Sequence, residues 1–432
     1  MNQEIIVGLD IGTTKICSIV GKKNQFGKLD VLGMGKAVSE GVIKGIVTNI
    51  DKTVYAIEKA VKQAGDQANI DIRSVNVGIA GQHIKSAVHH GSITRKSNDE
   101  ITVEDVNRLS DDMYRIVITP GSEIIHVMPQ DYIVDYDIGI KDPVGMSGVR
   151  LEADFHIITA QNNAISNIHR CIKRAGLKIE NLILEPLASS LAVLSEEERE
   201  AGVCLIDIGG GTTDIAIFHE NIIRHSAVIP FGGDIITADI KQGLKLMENQ
   251  AEALKTKFGR AIAEEASSRE VVSIKGLRNR PPKEVSVKSL ASIIEARMEE
   301  IIEMVHTEII TSGYHKKLAA GIVITGGGSQ LANIQQIFEY MTGQDTRIGY
   351  PNEHLGKSRV ESAKTPMFAT SVGLVLSGFK ALDFRQAQYM KRAEQLGGAK
   401  KKRTKSDGGF FQNILDKTKN LLIDDVDDKQ EY

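Results

Sequence analysis

Apolar residues along this chain recur with two spacings. Short runs bounded by glycine and polar residues, such as Ile5, Ile6, Val7 and Leu9 or Val203 to Ile206, predict buried strands. The stretch "VKSLASIIEARMEEIIEMVHTEII" instead carries Ile294, Met298, Ile301, Ile302, Val305 and Ile309 at helical spacing, which predicts one long amphipathic helix. A shorter helix is expected in "DEITVEDVNRLSDDMYRI", with Thr102 as its cap and Asp105 as the capping-box partner. Strand-like runs accompany it, "EIIHVMPQDYIVDYDI" and "GVRLEADFHIITA", so residues of roughly 84–160 read as an inserted β/α unit.

One pattern occurs twice. "IVGLDIGTTKICSIV" opens the chain, and "VCLIDIGGGTTDIAIF" follows from Val203. Each copy has an apolar strand, an aspartate, glycine, a threonine pair and a second apolar run, which predicts a β-hairpin with a glycine-rich turn. Gly12, Gly209, Gly210 and Gly211 let the backbone approach a ligand closely, and successive N–H groups in such turns form an anion nest. The hydroxyls of Thr13, Thr14, Thr212 and Thr213 are candidate donors to phosphate, and Lys15 adds a point charge. Asp10 and Asp207 would repel a bare phosphate. A Mg²⁺ ion with its waters, set between carboxylate and phosphate, resolves that conflict. A single Gly-Thr turn is an ordinary hairpin; two in matching frames point to duplicated halves facing each other across a nucleotide.

A third segment, "LAAGIVITGGGSQLANI", predicts a strand over Ile322–Thr325, three glycines (Gly326, Gly327, Gly328), then helical periodicity from Leu331. Such a junction sets helix amides at an anion or ribose edge. No Gly-Lys-Ser/Thr follows, so it is not a Walker A loop.

Together these motifs resemble the actin-like ATPase superfamily. The hairpins are similar to its two phosphate motifs and "TGGGSQL", including Ser329, to its adenosine motif. "LILEPLASSLAVL" resembles the connecting helix, which implies that Glu185 helps position an attacking water beside Asp10 and Asp207. "FGGDIITADI", with Gly233, resembles the segment that starts a helix beside the nucleotide. "AEALKTKFG" looks like the helix whose glutamate and lysine touch adenosine, a role that falls on Glu252 and Lys255. The cofactors implied are ATP and Mg²⁺. The implied fold is α/β and two-lobed, with duplicated ribonuclease-H-like halves.

Composition narrows the class further. At 432 residues and net charge −3 the chain exceeds one domain, and its balanced charge argues against nucleic acid. Cys17, Cys171 and Cys204 lie apart in apolar runs and are expected as small core residues. No signal peptide is expected at the N-terminus, and no apolar run is expected to approach the ~20 residues that span a bilayer. The last fifty or so residues change character. Residues 389–408 read as a basic flexible linker, with seven basic residues against one acidic between Lys391 and Lys405. In 409–423, Phe410, Phe411, Ile414, Leu415, Leu421 and Leu422 fall within an arc of about 140° on a helix, the pattern of an interfacial membrane anchor. An acidic segment, "DDVDDKQE", follows it.

An actin-like body with an insert and an amphipathic tail resembles the FtsA family of bacterial cell-division proteins. That resemblance implies a first lobe of 1–83, 161–197 and 355–388, an inserted subdomain of 84–160, and a second lobe with core 198–230 and 313–354 and subdomain 231–312. It also implies ATP-dependent self-assembly with at most weak ATPase activity. The implied partners are FtsZ through 231–312, later division proteins through 84–160, and membrane lipids through the tail, on the cytoplasmic side of the inner membrane at the septum. Two other readings are an actin-like pilus-assembly protein, which would lack the basic leash and final helix, and a sugar or acetate kinase. The kinase reading lacks a Gly-x-x-Thr-Gly-Asp loop.

Overall fold

The computed structural model describes residues 4–276, 281–356 and 360–400, with side chains to residue 386. The first lobe opens with an antiparallel meander, β1 (Ile5–Ile11), β2 (Lys15–Lys23) and β3 (Leu29–Val38). A two-residue-strand hairpin, β4 (Val42–Ile43) and β5 (Ile46–Val47), leads into α1 (Ile50–Ala68), whose first turn is capped by Asn49 accepting from Lys52 N–H. β6 (Ser74–Ile79) then joins β1 in parallel.

Next comes the expected insert: β7 (Ile84–Thr94), α2 (Val103–Met113), β8 (Ser122–Val134), β9 (Asp137–Ile140) and β10 (Arg150–Gln161), in sheet order β7-β10-β8-β9. Thr102 and Asp105 form the expected reciprocal capping box at the start of α2. The insert keeps its own apolar core around Phe155, Leu109, Leu151 and Ile101. The first lobe resumes with α3 (Asn162–Arg174), β11 (Lys178–Leu184), α4 (Glu185–Val193) and α5 (Glu196–Ala201).

The second lobe repeats the plan. β12 (Val203–Ile208), β13 (Thr213–His219) and β14 (Ile222–Ile229) form an antiparallel meander. α6 (Gly233–Gly243), α7 (Glu248–Phe258), the pair β15 (Val271–Ile274) and β16 (Lys283–Ser286), and α8 (Val287–Thr311) follow. Then β17 (Ile322–Thr325), α9 (Ile334–Thr342), β18 (Thr346–Ile348) and α10 (Ala369–Lys400) complete the described elements. The two main sheets have the same order, β3-β2-β1-β6-β11 and β14-β13-β12-β17-β18, each an antiparallel meander extended by two parallel strands. Duplication therefore reaches well past the hairpins. All six apolar positions expected on α8 are buried, and the three cysteines are buried and free.

Three expectations change. From the last of the glycines, Gly328–Gln330 make a 3₁₀ turn; Leu331 is extended (ψ 131°), and α9 starts only at Ile334, after Asn333 takes a left-handed conformation (φ 64°). Pro366–Gln386 is long and apolar enough to cross a membrane, contrary to the expectation that no run approaches that length. More than half of its most apolar stretch is buried inside the protein, however, and Gly8 packs on Ser371, Leu374 and Val375. Its apolarity serves the core. Finally, α10 continues through Lys400 into the segment expected as linker; "YMKRAEQL" is rich in strong helix formers. The tail over 409–423, with Phe410, Phe411, Ile414, Leu415, Leu421 and Leu422, lies outside the described residues.

Candidate functional site

The two repeated turns close in the same way. Gly12 N–H donates to the Lys15 carbonyl at 3.1 Å, and Gly209 N–H to the Thr212 carbonyl at 2.9 Å. Both are four-residue turns between strands paired at Ile11–Ile16 and Ile208–Thr213. They also meet each other. A Cβ on Gly210 would lie 2.3 Å from Thr14 Cγ2, and one on Gly211 2.7 Å from Thr13 Oγ1, so only glycine permits this approach.

The aspartates at the strand ends are buried and held. Asp10 Oδ2 accepts from Ser371 Oγ at 3.1 Å and lies 3.3 Å from Lys15 Nζ. Asp207 Oδ2 accepts from Ser189 Oγ of α4 at 2.6 Å and from Thr370 Oγ1 of α10 at 3.1 Å. Behind Asp207 sits Gly326 at φ 84°, where a Cβ would stand 2.3 Å from Asp207 Oδ1. Burial pushes the Asp207 carboxyl above the usual range, against the pull of Ser189, Thr370 and Lys15. Burial also pulls Lys15 down, but Asp10 and Asp207 outweigh it, so Lys15 stays an ammonium. Its Nζ lies 5.4 Å from the Phe368 ring centre.

Glu185, the first residue of α4, is partly buried over Gly78, where a Cβ would come within 2.9 Å of its Cγ. Burial first, then Asp10, Asp214 and Asp207, hold its carboxyl well above the ordinary range. Asp214 is the acid that the sequence reading missed. It faces Asp207 across the β12–β13 ladder, in the register position that Cys17 holds opposite Asp10. The signal was present: an acid inside the apolar run "TDIAIF" has to be satisfied or used. Its Oδ2 accepts from Thr212 Oγ1 at 3.1 Å, while its buried Oδ1 has no hydrogen-bond partner.

Burial, reinforced by Asp207, pushes the Asp214 carboxyl up to about 7. Between its ordinary value of 3.8 and about 7, the folded state binds more protons than the unfolded chain, so stability falls as pH rises through that window. Asp214→Asn is therefore expected to raise the melting temperature of the nucleotide-free protein at pH 8, with the difference shrinking toward pH 4. Parallel melting curves of variant and parent across that range would contradict this.

Two adjoining cavities occupy the cleft. The smaller, of about 60 Å³, is lined by both turns with Asp10, Gly45, Glu185, Asp207, Asp214 and Gly326. The larger, of about 310 Å³, is walled by Gly233, Glu252, Lys255, Gly327 and Gly328, with Ile236, Met298 and Leu331 supplying apolar surface. Thr14, Lys15, Gly209, Gly210, Gly327 and Met367 border both. The size falls in the usual range for small-molecule sites, roughly 300–1,000 Å³. Lys255 Nζ bridges Glu252 Oε2 (2.7 Å), the Gly233 carbonyl (2.8 Å) and Thr237 Oγ1 (2.7 Å) at its rim.

Three expected phosphate or nucleoside contacts point elsewhere, the first being Thr212, whose hydroxyl donates to Asp214 Oδ2. Thr213 is fully buried at the start of β13 and donates to the Phe231 carbonyl at 2.8 Å. Ser329 is buried and donates to the Gly326 carbonyl at 2.8 Å, shaping the glycine turn.

The donor set suits a divalent cation held through water. Acidic groups crowd the small cavity around one ammonium, and Asp214 Oδ1 is unsatisfied. Among the described residues no cluster of three or more acids, histidines or cysteines is arranged to hold a metal directly.

Comparison with known proteins places the chain in a family. Residues 204–373 match the family model for cell division protein FtsA, and residues 81–159 match that for the SHS2 domain inserted in FtsA. The chain is 41% identical over 377 residues to cell division protein FtsA of Pseudomonas aeruginosa, covering 87% of this chain and 90% of the relative. It is 42% identical over 379 residues to that of Neisseria meningitidis (88% and 91%) and 35% identical over 412 residues to that of Escherichia coli (94% and 97%). Among solved structures, a PilM–PilN type IV pilus biogenesis complex aligns with TM-score 0.62 at 16% identity, covering 86% of this chain and 98% of that one. MreB5 of Spiroplasma citri bound to ADP aligns with TM-score 0.51 at 14% identity, covering 90% and 98%. Both share the actin-like fold.

Proposed function

The chain belongs to the FtsA family of cell-division proteins, and from that premise we propose that it binds ATP and Mg²⁺ between its lobes, polymerises, and holds FtsZ filaments at the cytoplasmic face of the membrane. The observation that carries the reading is the pair of matched turns, each preceded by a buried aspartate at its strand end, bordering a small acidic cavity that adjoins a nucleoside-sized one.

Bound there, Mg²⁺ would neutralise phosphate charge, with Asp10 and Asp207 holding it through water. The turn amides and the hydroxyls of Thr13 and Thr14 would orient the phosphates, and Lys15 would face them as an ammonium; the Thr212 hydroxyl is held by Asp214. Gly327, Gly328, Glu252 and Lys255 would enclose the nucleoside. Glu185 is the candidate to hold an attacking water. Its raised pKa and crowding by acids favour binding with at most slow hydrolysis. Closure of the lobes on nucleotide favours head-to-tail assembly, which arrays the tails.

The contact with FtsZ is assigned to 231–312. A surface groove of about 560 Å³ between α6 and α8 lies there, with Ile293 and Ala296 beside Arg297, which bridges Asp239 and Glu300. The insert is the proposed contact for later division proteins. A single tail is proposed to bind lipid marginally, through its six large apolar residues; many tails on one polymer bind through effective concentration.

Co-sedimentation with anionic liposomes in Mg-ATP tests the reading. The full chain is expected to pellet, more with ATP than without, and to carry FtsZ filaments with it. A chain ending at Lys405, or one carrying Phe411→Glu with Leu415→Glu, is expected to stay in the supernatant with nucleotide binding intact. Equal behaviour of all three would overturn the membrane-tether reading.

A further inference from the structure

The hairpin β4–β5 of the first lobe has no place among the nucleotide motifs, yet its turn touches both phosphate turns. Lys44 sits at φ 49°, a left-handed conformation that non-glycine residues rarely take. That conformation directs the turn into the cleft. Gly45 N–H donates to Thr13 Oγ1 at 3.2 Å. A Cβ on Gly211 of the other lobe would lie 3.0 Å from Lys44 Cα. Lys44 Nζ lies 5.3 Å from the ring centre of Phe231, in the segment leading to α6. The Phe231 carbonyl in turn accepts from Thr213, the residue at the end of the second turn.

We infer that Lys44 and Phe231 are a positioning pair that clasps the two lobes behind the phosphate turns and orients the Thr13 hydroxyl as a donor. The chemistry of Thr13 supports this. A hydroxyl has one proton to give. With its oxygen accepting from Gly45, that proton is directed away from Gly45 and is available to the small cavity, which Thr13 lines. The clasp also spans the cleft: Lys44 comes from the first lobe, Phe231 from the second. An apolar cavity of about 220 Å³ lies behind the turns, bordered by Ile43, Lys44, Pro230, Phe231 and Ile235 together with Thr13 and Gly211, so a shift of the clasp is transmitted to both turns.

The pair acts on residence time more than on encounter, since it contacts the turns and stands off the small cavity itself. It rests on the proposed Mg-nucleotide site, and two measurements on the full chain keep the two readings apart. The first is the dissociation rate of a fluorescent ATP analogue with Mg²⁺ in Lys44→Met, Phe231→Leu and the double variant. A cation over an aromatic ring predicts that each single change speeds dissociation roughly threefold to tenfold, with the double variant no worse than the larger single one. Lys44→Arg should restore the parent rate, and association rates should stay unchanged. The second is amide exchange over 43–47 and 209–213 without nucleotide, which should quicken in Lys44→Met and Phe231→Leu and not in Lys44→Arg.

Additive effects of the two changes on dissociation, or unaltered exchange in both segments, would overturn the clasp. A parent chain that fails to bind the analogue while its exchange responds as described would sink the nucleotide reading and leave the clasp standing.

Discussion

Asp207→Lys is expected to abolish Mg-ATP binding, at least about a hundredfold in affinity. Removing one partner of a buried charge pair weakens binding by roughly 2–5 kcal/mol, and each 1.4 kcal/mol is about tenfold. Reversal goes further, because it sets a second ammonium beside Lys15 where a divalent cation would stand. Asp10→Lys should behave alike. The informative companion is Asp207→Asn. Without Mg²⁺, the Asp207 carboxylate only repels phosphate, so in EDTA the asparagine variant should bind ATP at least as well as the parent. With Mg²⁺ it should bind roughly tenfold to a hundredfold more weakly. That reversal of order with metal separates a water-mediated metal role from general damage. Asp207 is also held by Ser189 and Thr370, and asparagine keeps an oxygen for those donors. Equal affinities for parent and Asp207→Lys in a nucleotide titration would remove the site from this cleft.

Gly373→Ala carries the largest expected loss of stability. A Cβ at this position of α10 would lie 1.8 Å from the carbonyl oxygen and 2.3 Å from the carbonyl carbon of Ala188 in α4. Both obstacles are backbone, so no side chain can swing aside and the helices must part. Overpacking typically costs about 1–3 kcal/mol and occasionally more; with backbone in the way the upper end is expected, about 3 kcal/mol. Function should fall with it, because Ser189 and Thr370 meet at Asp207 from these same two helices. Thermal melts and nucleotide titrations on one preparation would show both losses. Gly343→Ala is the control: at φ 66° with nothing within 4 Å, it bears backbone strain alone, about 1 kcal/mol. If the two variants melt together, the close α4–α10 crossing does not limit stability.

Much of this was legible in the chain. Strand runs before Asp10 and Asp207, the capping box at Thr102, the stripe on α8 and the three core cysteines all follow from local pattern, and the structure holds each where expected. The family followed from motif order, and 35–42% identity to curated FtsA proteins sets the pilus and kinase readings aside. Most of what escaped was long-range. Asp214 reads as one acid in a strand until the ladder sets it against Asp207. One miss was local: the helix expected from Leu331 begins at Ile334, with Leu331 extended and Asn333 left-handed before it. Pro366–Gln386 has the composition of a membrane span, yet more than half of its most apolar stretch is buried inside the protein.

The sequence by itself determined the local chemistry: glycine where a turn approaches a ligand, an aspartate at each strand end, one lysine to offset them, and an amphipathic tail pattern. Local pattern suffices for these because periodicity and turn residues act over a few positions. Only the tertiary structure decided which groups serve the cleft. It spent Thr213 and Ser329 on backbone carbonyls, brought Ser189, Thr370 and Ser371 to the two aspartates, and laid Lys44 on Phe231. Burial and encounter across hundreds of residues settle such assignments, because a hydroxyl bound to one acceptor has no second proton to give and a carboxylate's charge depends on what surrounds it.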